Sequence, residues 1–180
     1  MLIAQEKRKT NIAEYILYMW QVEDIIRACN FNINLIDSQY VSRFNSSPRV
    51  RDEIKDWYVN LILMMHEEDI RQKGHLSFLN TLVRDMNDLH IRLLNSRQEI
   101  RYQDIYTAAV VNLREFKSKL PAANISDVEA SLDALYGLLL LRLKKKTINK
   151  GTEEAMATFS RMLAYLSDKF RKMETGELEL

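Results

Sequence analysis

The sequence predicts an all-α fold, a single-domain antiparallel bundle of six to seven helices over residues 1–180. Apolar residues recur every three to four positions along nearly every segment, as on the buried stripe of an amphipathic helix. The chain contains only 4 glycines and 2 prolines, which excludes a loop-rich β architecture. A chain of this length buries about 70% of its unfolded surface on folding, so its core does not need disulfide bonds or metal sites. The predicted turns are short, so consecutive helices are expected to pack antiparallel.

Three helices are predicted in the first half of the chain. The first is expected to begin with Asn11 as its cap. A shorter helix is expected over residues 33–44. The third begins at the strongest start signal in the sequence, Ser47 followed by Pro48, because a serine hydroxyl caps a helix and proline fits its first position. Its apolar stripe is expected to continue until Gly74.

Four helices are predicted in the second half. The apolar positions of residues 79–93 repeat most regularly, and the next helix is expected to stop before Pro121. Ser126 opens a capping box for the sixth helix. The seventh is expected to begin with Thr152 as its cap and to end before a frayed acidic tail at residues 171–180.

The sixth helix contains more apolar surface than one buried face requires. Four consecutive leucines point to every side of it: Leu138, Leu139, Leu140 and Leu141. Such a helix either lies at the centre of the bundle or buries its outer face in a partner chain, and the sequence leaves both alternatives open. A symmetric homodimer would cover the surplus, so a homodimer is predicted with these leucines at its interface.

Aromatic and polar residues of the first and third helices form a second candidate site. An aromatic-lined pocket between them could hold an apolar ligand, although core packing is the more common use for such side chains. The residues are Tyr15, Tyr18, Trp20, Glu23, Trp57 and Tyr58.

A basic run at the end of the sixth helix is the third candidate, an anion or acidic-partner patch. Its members are Arg142, Lys144, Lys145, Lys146 and Lys150. Cations at a helix C-terminus also stabilise the helix dipole, which explains the run without a partner. The 26 basic and 25 acidic residues give a net charge of +1, which provides no electrostatic footprint for nucleic acid or a membrane surface.

No catalytic, metal or cofactor residue is predicted. No glycine-rich phosphate loop or nucleophile motif occurs, and none of the three histidines follows a glutamate by three positions, as in di-iron bundles. The acidic run after His66 is interpreted as a solvated helix face with two ion pairs, Glu67 with Arg71 and Asp69 with Lys73.

The longest uncharged apolar runs lie at residues 15–20 and 134–141. Both are far shorter than the roughly 20 residues of a membrane-spanning helix, and neither resembles a signal peptide. The protein is therefore expected to be soluble and cytoplasmic.

The opening stretch, MLIAQEKRKTNIAEYILYMWQVED, resembles a family of bacterial proteins of about this length that is defined as a domain of unknown function. The resemblance covers the whole chain and is clearest from Gln5 through Asp24. It implies a bacterial, cytoplasmic, all-helical protein and supplies no activity or catalytic residue. The first surface it suggests comprises the polar residues expected to be exposed in this segment: Gln5, Glu6, Tyr15, Glu23 and Asp24.

These observations favour a non-catalytic interaction or scaffold protein built as a dimeric bundle. Two other functions stay open: a small-molecule-binding bundle that uses the aromatic pocket, and a regulatory protein that binds an acidic partner through the lysine-rich helix end.

Overall fold

The computed structural model describes residues 2–44, 47–121 and 124–178, with Leu2 described by its backbone alone. Within these ranges the chain forms eight α-helices and one 3₁₀ turn, and no strand, which confirms the all-α prediction. The elements are α1 (Leu2–Thr10), α2 (Ile12–Ala28), α3 (Ile33–Gln39), the 3₁₀ turn (Val41–Arg43), α4 (Pro48–Glu67), α5 (Ser77–Asn95), α6 (Ile100–Ser118), α7 (Asp127–Leu143) and α8 (Lys150–Glu174).

The fold divides into two compact units. Unit 1 takes in the chain to Arg8 together with Glu14–Thr81, and unit 2 takes in Lys9–Ala13 together with the chain from Leu82 onward. In unit 1, α3 and the 3₁₀ turn pack against α4, and in unit 2, α6, α7 and α8 pack against one another. The organisation of residues 1–180 as a single domain stays a prediction.

Each unit has an apolar core from the expected helix stripes. Ile16, Met19, Ile26, Ile36 and Met65 are fully buried members of the core of unit 1. In unit 2 the corresponding side chains include Met86, Leu89, Leu93, Tyr102, Phe159 and Leu166. The repeat predicted for residues 79–93 is thus a buried stripe, as its periodicity indicates.

The two serine start signals are confirmed. Ser47 Oγ accepts the N–H of Val50 at 3.4 Å, and Ser126 Oγ accepts the N–H of Glu129 at 3.1 Å. The start predicted for the last helix is wrong by a few residues. Asn149 is its cap and accepts the N–H of Thr152 at 2.8 Å, because an asparagine amide oxygen serves this role as well as a hydroxyl does.

The beginning of the chain contains one helix that the sequence analysis did not predict. The described residues therefore form eight helices rather than six or seven. Residues 2–10 form α1, and Asn11 is the one non-helical residue before α2. At the other end, α8 continues to Glu174, so the first four residues of the predicted frayed tail, 171–174, are helical. Residues 45–46, where the second helix was expected to have just ended, lie outside the described residues.

The third predicted helix ends earlier than its pattern indicates. Helix α4 stops at Glu67, and residues 68–76 form a loop to α5. The turn out of the helix is a Schellman-type end in which Ile70 N–H donates to Met65 O and Asp69 has a left-handed φ of 52°. The two ion pairs predicted for Glu67–Arg71 and Asp69–Lys73 would require this segment to be helical, so that interpretation is wrong.

Candidate functional site

A cavity of about 250 Å³ lies within unit 1, where α2, the 3₁₀ turn and α4 come together beside α1. Its surface is mainly apolar and partly open to solvent. The lining residues are Ile3, Tyr18, Gln21, Val22, Ile25, Tyr40, Arg43, Phe44 and Tyr58. We call this space the tyrosine cavity. Ile3, Arg43 and Phe44 are its exposed members and therefore mark its mouth.

Tyr58 is the most deeply buried polar side chain of the tyrosine cavity. Only 2% of its surface is exposed, and its ring meets Trp57 edge-on at a centroid distance of 5.1 Å. Its hydroxyl forms no hydrogen bond within the part of the chain that the structure describes. Burial raises the pKa of the Tyr58 phenol, and the nearby Tyr18 and Tyr40 raise it further. The hydroxyl is thus a protonated donor with no acceptor among the described residues, although it is not fully enclosed by protein.

The structure brings together only part of the aromatic pocket predicted from the sequence. Tyr18 and Tyr58 line the tyrosine cavity, and burial raises the pKa of Tyr18 to about 12. Trp57 contacts Tyr58 but does not line the cavity, and Tyr15 is a half-buried residue of α2 away from it. The cavity adds residues from the 3₁₀ turn region, which the sequence analysis placed in a helix and did not associate with a site.

The remaining predicted pocket residues, Trp20 and Glu23, lie at a different place in unit 1. The Glu23 side chain is completely buried and accepts two hydrogen bonds, from His75 Nδ1 at 2.5 Å and from the N–H of Leu76 at 2.9 Å. Trp20 stacks on the His75 ring with centroids 4.3 Å apart. The expectation that Glu23 belongs to an exposed polar surface is wrong. Its position four residues after Met19 and three before Ile26, on the buried stripe of α2, is the sequence signal that identifies it as an internal residue.

Two further side chains fix the loop that Glu23 binds. Arg27, one turn along α2, donates to Ile70 O at 3.1 Å and to Gly74 O. Glu68 accepts the backbone N–H and the hydroxyl of Ser77 at 2.7 and 2.8 Å. Glu23 and Glu68 together place two carboxylates at the first N–H groups of α5, where a helix dipole favours negative charge. This arrangement explains the buried acid as a structural anchor for residues 68–76.

Helix α7 buries one side and leaves the other partly exposed. Leu138 is only 8% exposed and lies in the core of unit 2, so it is not available to a partner. Leu139 and Leu140 are half-buried, whereas Leu141 and Leu143 are 43% and 65% exposed. At 100° per residue, the positions opposite Leu138 form a single stripe, which we call the outer face of α7. Its residues are Glu129, Asp133, Tyr136, Leu140, Leu143 and Lys144.

The basic run predicted as a partner patch is exposed along its whole length. Helix α7 ends within it: Lys144 caps the helix, and Lys145 has a left-handed φ of 54°. Lys150 forms an ion pair with Glu154 at 3.6 Å, one turn along α8. The interpretation of this run as an acidic-partner site stays a prediction.

A chain of polar and aromatic contacts crosses the interior of unit 2. The Nδ1 atom of His90, on α5, accepts a hydrogen bond of 2.6 Å from the hydroxyl of Tyr102. Burial lowers the pKa of His90, so that the ring is neutral. Tyr106 donates to Asp127 at 2.6 Å, and Lys117 donates to the other oxygen of this carboxylate at 2.8 Å. Burial raises the pKa of Asp127, but these two hydrogen bonds and the nearby charge of Lys117 act against it, and the pKa lies below its usual value.

The same chain continues towards α8. The ring of Tyr165 stacks on Tyr102 with centroids 5.5 Å apart, and its hydroxyl donates to Glu99 at 2.9 Å. Lys169 donates to the second oxygen of Glu99. The polar groups of this network are hydrogen-bonded to one another inside the core. This is typical of a structural network rather than of a reaction centre.

Unit 2 also contains a cavity of about 430 Å³ between α6 and the start of α8. It is larger than the tyrosine cavity, and several of its polar side chains are already paired. Lys119 binds Glu115 at 2.7 Å, and Asn149 holds its own helix by accepting the Thr152 N–H. The tyrosine cavity is smaller but more apolar, which makes it the better candidate for an apolar ligand.

Residues 2–44, 47–121 and 124–178 were searched for membrane-spanning helices and for metal-ligand clusters. No helix in these ranges is long and apolar enough to cross a membrane. In the same ranges, no three histidine, cysteine or carboxylate side chains are grouped as metal ligands.

Comparison with known proteins gives one match, to a family. Curated proteins gave no match, and solved structures gave none. The family model described as "Domain of unknown function (DUF4924)" matches residues 1–177. This match extends over almost the whole chain and agrees with the resemblance of the N-terminal segment. The chain therefore belongs to the DUF4924 family.

Proposed function

We propose that this chain is a non-catalytic interaction protein that assembles as a symmetric homodimer through the outer face of α7. The observation that carries the proposal is the composition of that face. Between Glu129 at its N-terminal end and Lys144 at its C-terminal end it carries Asp133, Tyr136 and Leu140, which are half-buried, and the exposed Leu143. A partly exposed face that combines apolar residues with charges at its ends is typical of a helix that meets another helix.

The charges on the outer face are arranged for an antiparallel copy of the same helix. Glu129 and Lys144 are both exposed, and neither forms an ion pair within the described chain. If a two-fold axis passes between Tyr136 and Gly137, these residues lie about 11 Å on either side of it along the helix. Each glutamate then lies level with the lysine of the second copy. A two-fold axis repeats that pairing twice, as isologous interfaces require.

Gly137 supports the same axis position. A glycine inside a helix costs about 0.5–1 kcal/mol relative to alanine. A Cβ at this position would meet no atom within 4 Å, so nothing in unit 2 requires a glycine there. Gly137 lies level with this axis on the flank of the outer face, so the missing side chain leaves room beside Tyr136 of the second copy.

The proposal is tested by reversing the two charges separately. In Glu129→Lys and in Lys144→Glu, like charges face each other twice in the homodimer, so each variant is expected to dissociate at concentrations where the wild type is dimeric. Mixing the two variants restores both attractive pairs. Native mass spectrometry of the mixture, with one variant isotope-labelled, should show the heterodimer in excess over either homodimer.

Glu154→Lys provides a matched control, since Glu154 is an exposed carboxylate of the same unit but lies on α8. Its dimer should match that of the wild type. Gly137→Ala should raise the melting temperature of the monomer while weakening association. A wild-type chain that is monomeric at every concentration, or a mixture without heterodimer preference, would contradict the proposal.

A further inference from the structure

We infer that the turn after α7 is a docking surface for an anionic lipid membrane, which the chain contacts at the headgroup layer. The surface comprises Leu141, Arg142, Lys145 and Lys146, and we call it the basic tip. This inference does not rest on the proposed homodimer, because none of these four residues belongs to the outer face of α7. Attachment to a membrane surface requires basic and apolar groups side by side, and it does not require a spanning helix.

The end of α7 brings the residues of the basic tip into one turn. The N–H of Lys146 donates to the carbonyl of Leu141 at 3.0 Å. The N–H of Lys145 donates to the carbonyl of Arg142 at 2.9 Å. These two bonds form a Schellman motif, which folds the chain back over the last helical turn. Every residue from 141 to 147 is exposed, so the turn presents its three cations and its leucine to solvent together.

Lys145 occupies a position at which glycine is the usual residue. Its φ of 54° lies in the left-handed region, which any side chain disfavours. A glycine would form the same turn with less strain. The helix dipole does not require this lysine either, because Arg142 already places a cation in the last turn of α7. The side chain of Lys145 therefore has a conformational cost, as is typical of residues that act outside the fold.

The cations of the basic tip are not neutralised by nearby carboxylates. None of the three forms an ion pair with any residue that the structure describes, whereas Lys150, a few positions later, pairs with Glu154. The net charge of +1 is a sum over the whole chain and does not reveal this local excess. A small net charge therefore does not exclude a membrane surface as the partner of this turn.

The residue types favour a lipid surface over an acidic protein. Lysine is depleted in protein–protein interfaces, and fixing its long side chain costs conformational entropy. At a membrane the side chain stays mobile, with its ammonium group among the headgroups and its methylene stem along apolar surface. Leu141, which is 43% exposed, enters the acyl boundary beside these stems. Each cation near such a surface strengthens binding about fivefold, so the three together contribute about a hundredfold.

The experiment is co-sedimentation of the full chain with vesicles of phosphatidylcholine, alone or mixed with about one third phosphatidylglycerol. We expect binding to the mixed vesicles to be about a hundredfold tighter and to be lost at high salt. Lys145→Gln combined with Lys146→Gln should weaken this binding about 25-fold, and Leu141→Ser about threefold to fivefold. Lys145→Gly should weaken it about fivefold while raising the melting temperature by about 2–4 °C, because glycine relieves the strain of the turn.

A matched variant distinguishes the basic tip from a general charge effect. Arg97→Gln combined with Arg161→Gln removes two exposed cations elsewhere in unit 2 and should bind like the wild type. The tip variants should keep the oligomeric state of the wild type, so failure of the homodimer would leave this test intact. A polyglutamate peptide is the acidic-protein probe and should bind more weakly than the mixed vesicles, since it offers no apolar layer to Leu141. Equal binding to both kinds of vesicle, an equal loss in the control variant, or tighter binding to polyglutamate would each overturn the inference.

Discussion

Replacing Glu23 by alanine should destabilise the protein more than any surface substitution. The carboxylate is completely buried, and its loss leaves the N–H of Leu76 and the Nδ1 of His75 without their acceptor. Hydrogen bonds to a charged group contribute about 1.5–3 kcal/mol each, and the substitution removes two of them. We therefore expect the free energy of unfolding to fall by about 4 kcal/mol. For a chain of this size the melting temperature should fall by roughly 10 °C.

The assay is thermal and urea unfolding followed by circular dichroism, with two companion variants. Glu23→Gln keeps an oxygen for the Leu76 N–H but loses the charge, so its loss should be intermediate, about 1–2 kcal/mol. Glu53→Ala removes an exposed glutamate of α4 that pairs with the exposed Arg49, and it should melt like the wild type. If Glu23→Ala melts within about 2 °C of the wild type, the carboxylate does not anchor the loop and the reasoning is refuted.

Three other predictions follow from the interior of unit 2. Burial lowers the pKa of His90, only partly offset by Asp127, so the unfolded chain binds a proton near pH 6.5 that the folded chain does not. Stability should therefore fall as the pH drops from 7 to 5, and His90→Gln should flatten that dependence in urea titrations; an unchanged slope would contradict it. Ser126→Ala removes the N-cap of α7 and should cost about 1 kcal/mol, whereas a neutral effect would show that the cap is unimportant. Tyr165→Phe removes a donor to the buried Glu99 and should cost about 1.5–3 kcal/mol in the same assay, and a loss below about 0.5 kcal/mol would be evidence against this bond.

The helices whose starts were predicted correctly have a start signal within a few residues of their first turn. Ser47 with Pro48, and Ser126, mark starts because an N-cap hydroxyl acts on N–H groups within three residues. Helix α1 was missed because its polar run, Gln5 to Lys9, lacks an apolar stripe, although its residues have high helix propensity. Propensity would have detected this helix where periodicity did not.

The site residues were less predictable because their partners are distant in sequence. The end of α4 is fixed by Glu23 and Arg27, which reach the following loop from α2 more than 40 positions earlier. Tyr18 and Tyr58, which the sequence analysis grouped, both line the tyrosine cavity, but Arg43 lies in a turn that periodicity treats as helix. No pattern within a single segment contains such information.

The loop of residues 68–76 also gives the molecule a natural proteolytic reporter. It presents two exposed trypsin sites, Arg71 and Lys73, on a stretch without regular secondary structure. A protease needs an extended, released backbone, but this one is fixed by Arg27 on α2 and Glu23 beside it. Cleavage must therefore wait for the loop to detach. The rate of nicking at these two bonds measures the free energy of that local opening, separately from unfolding of the whole chain.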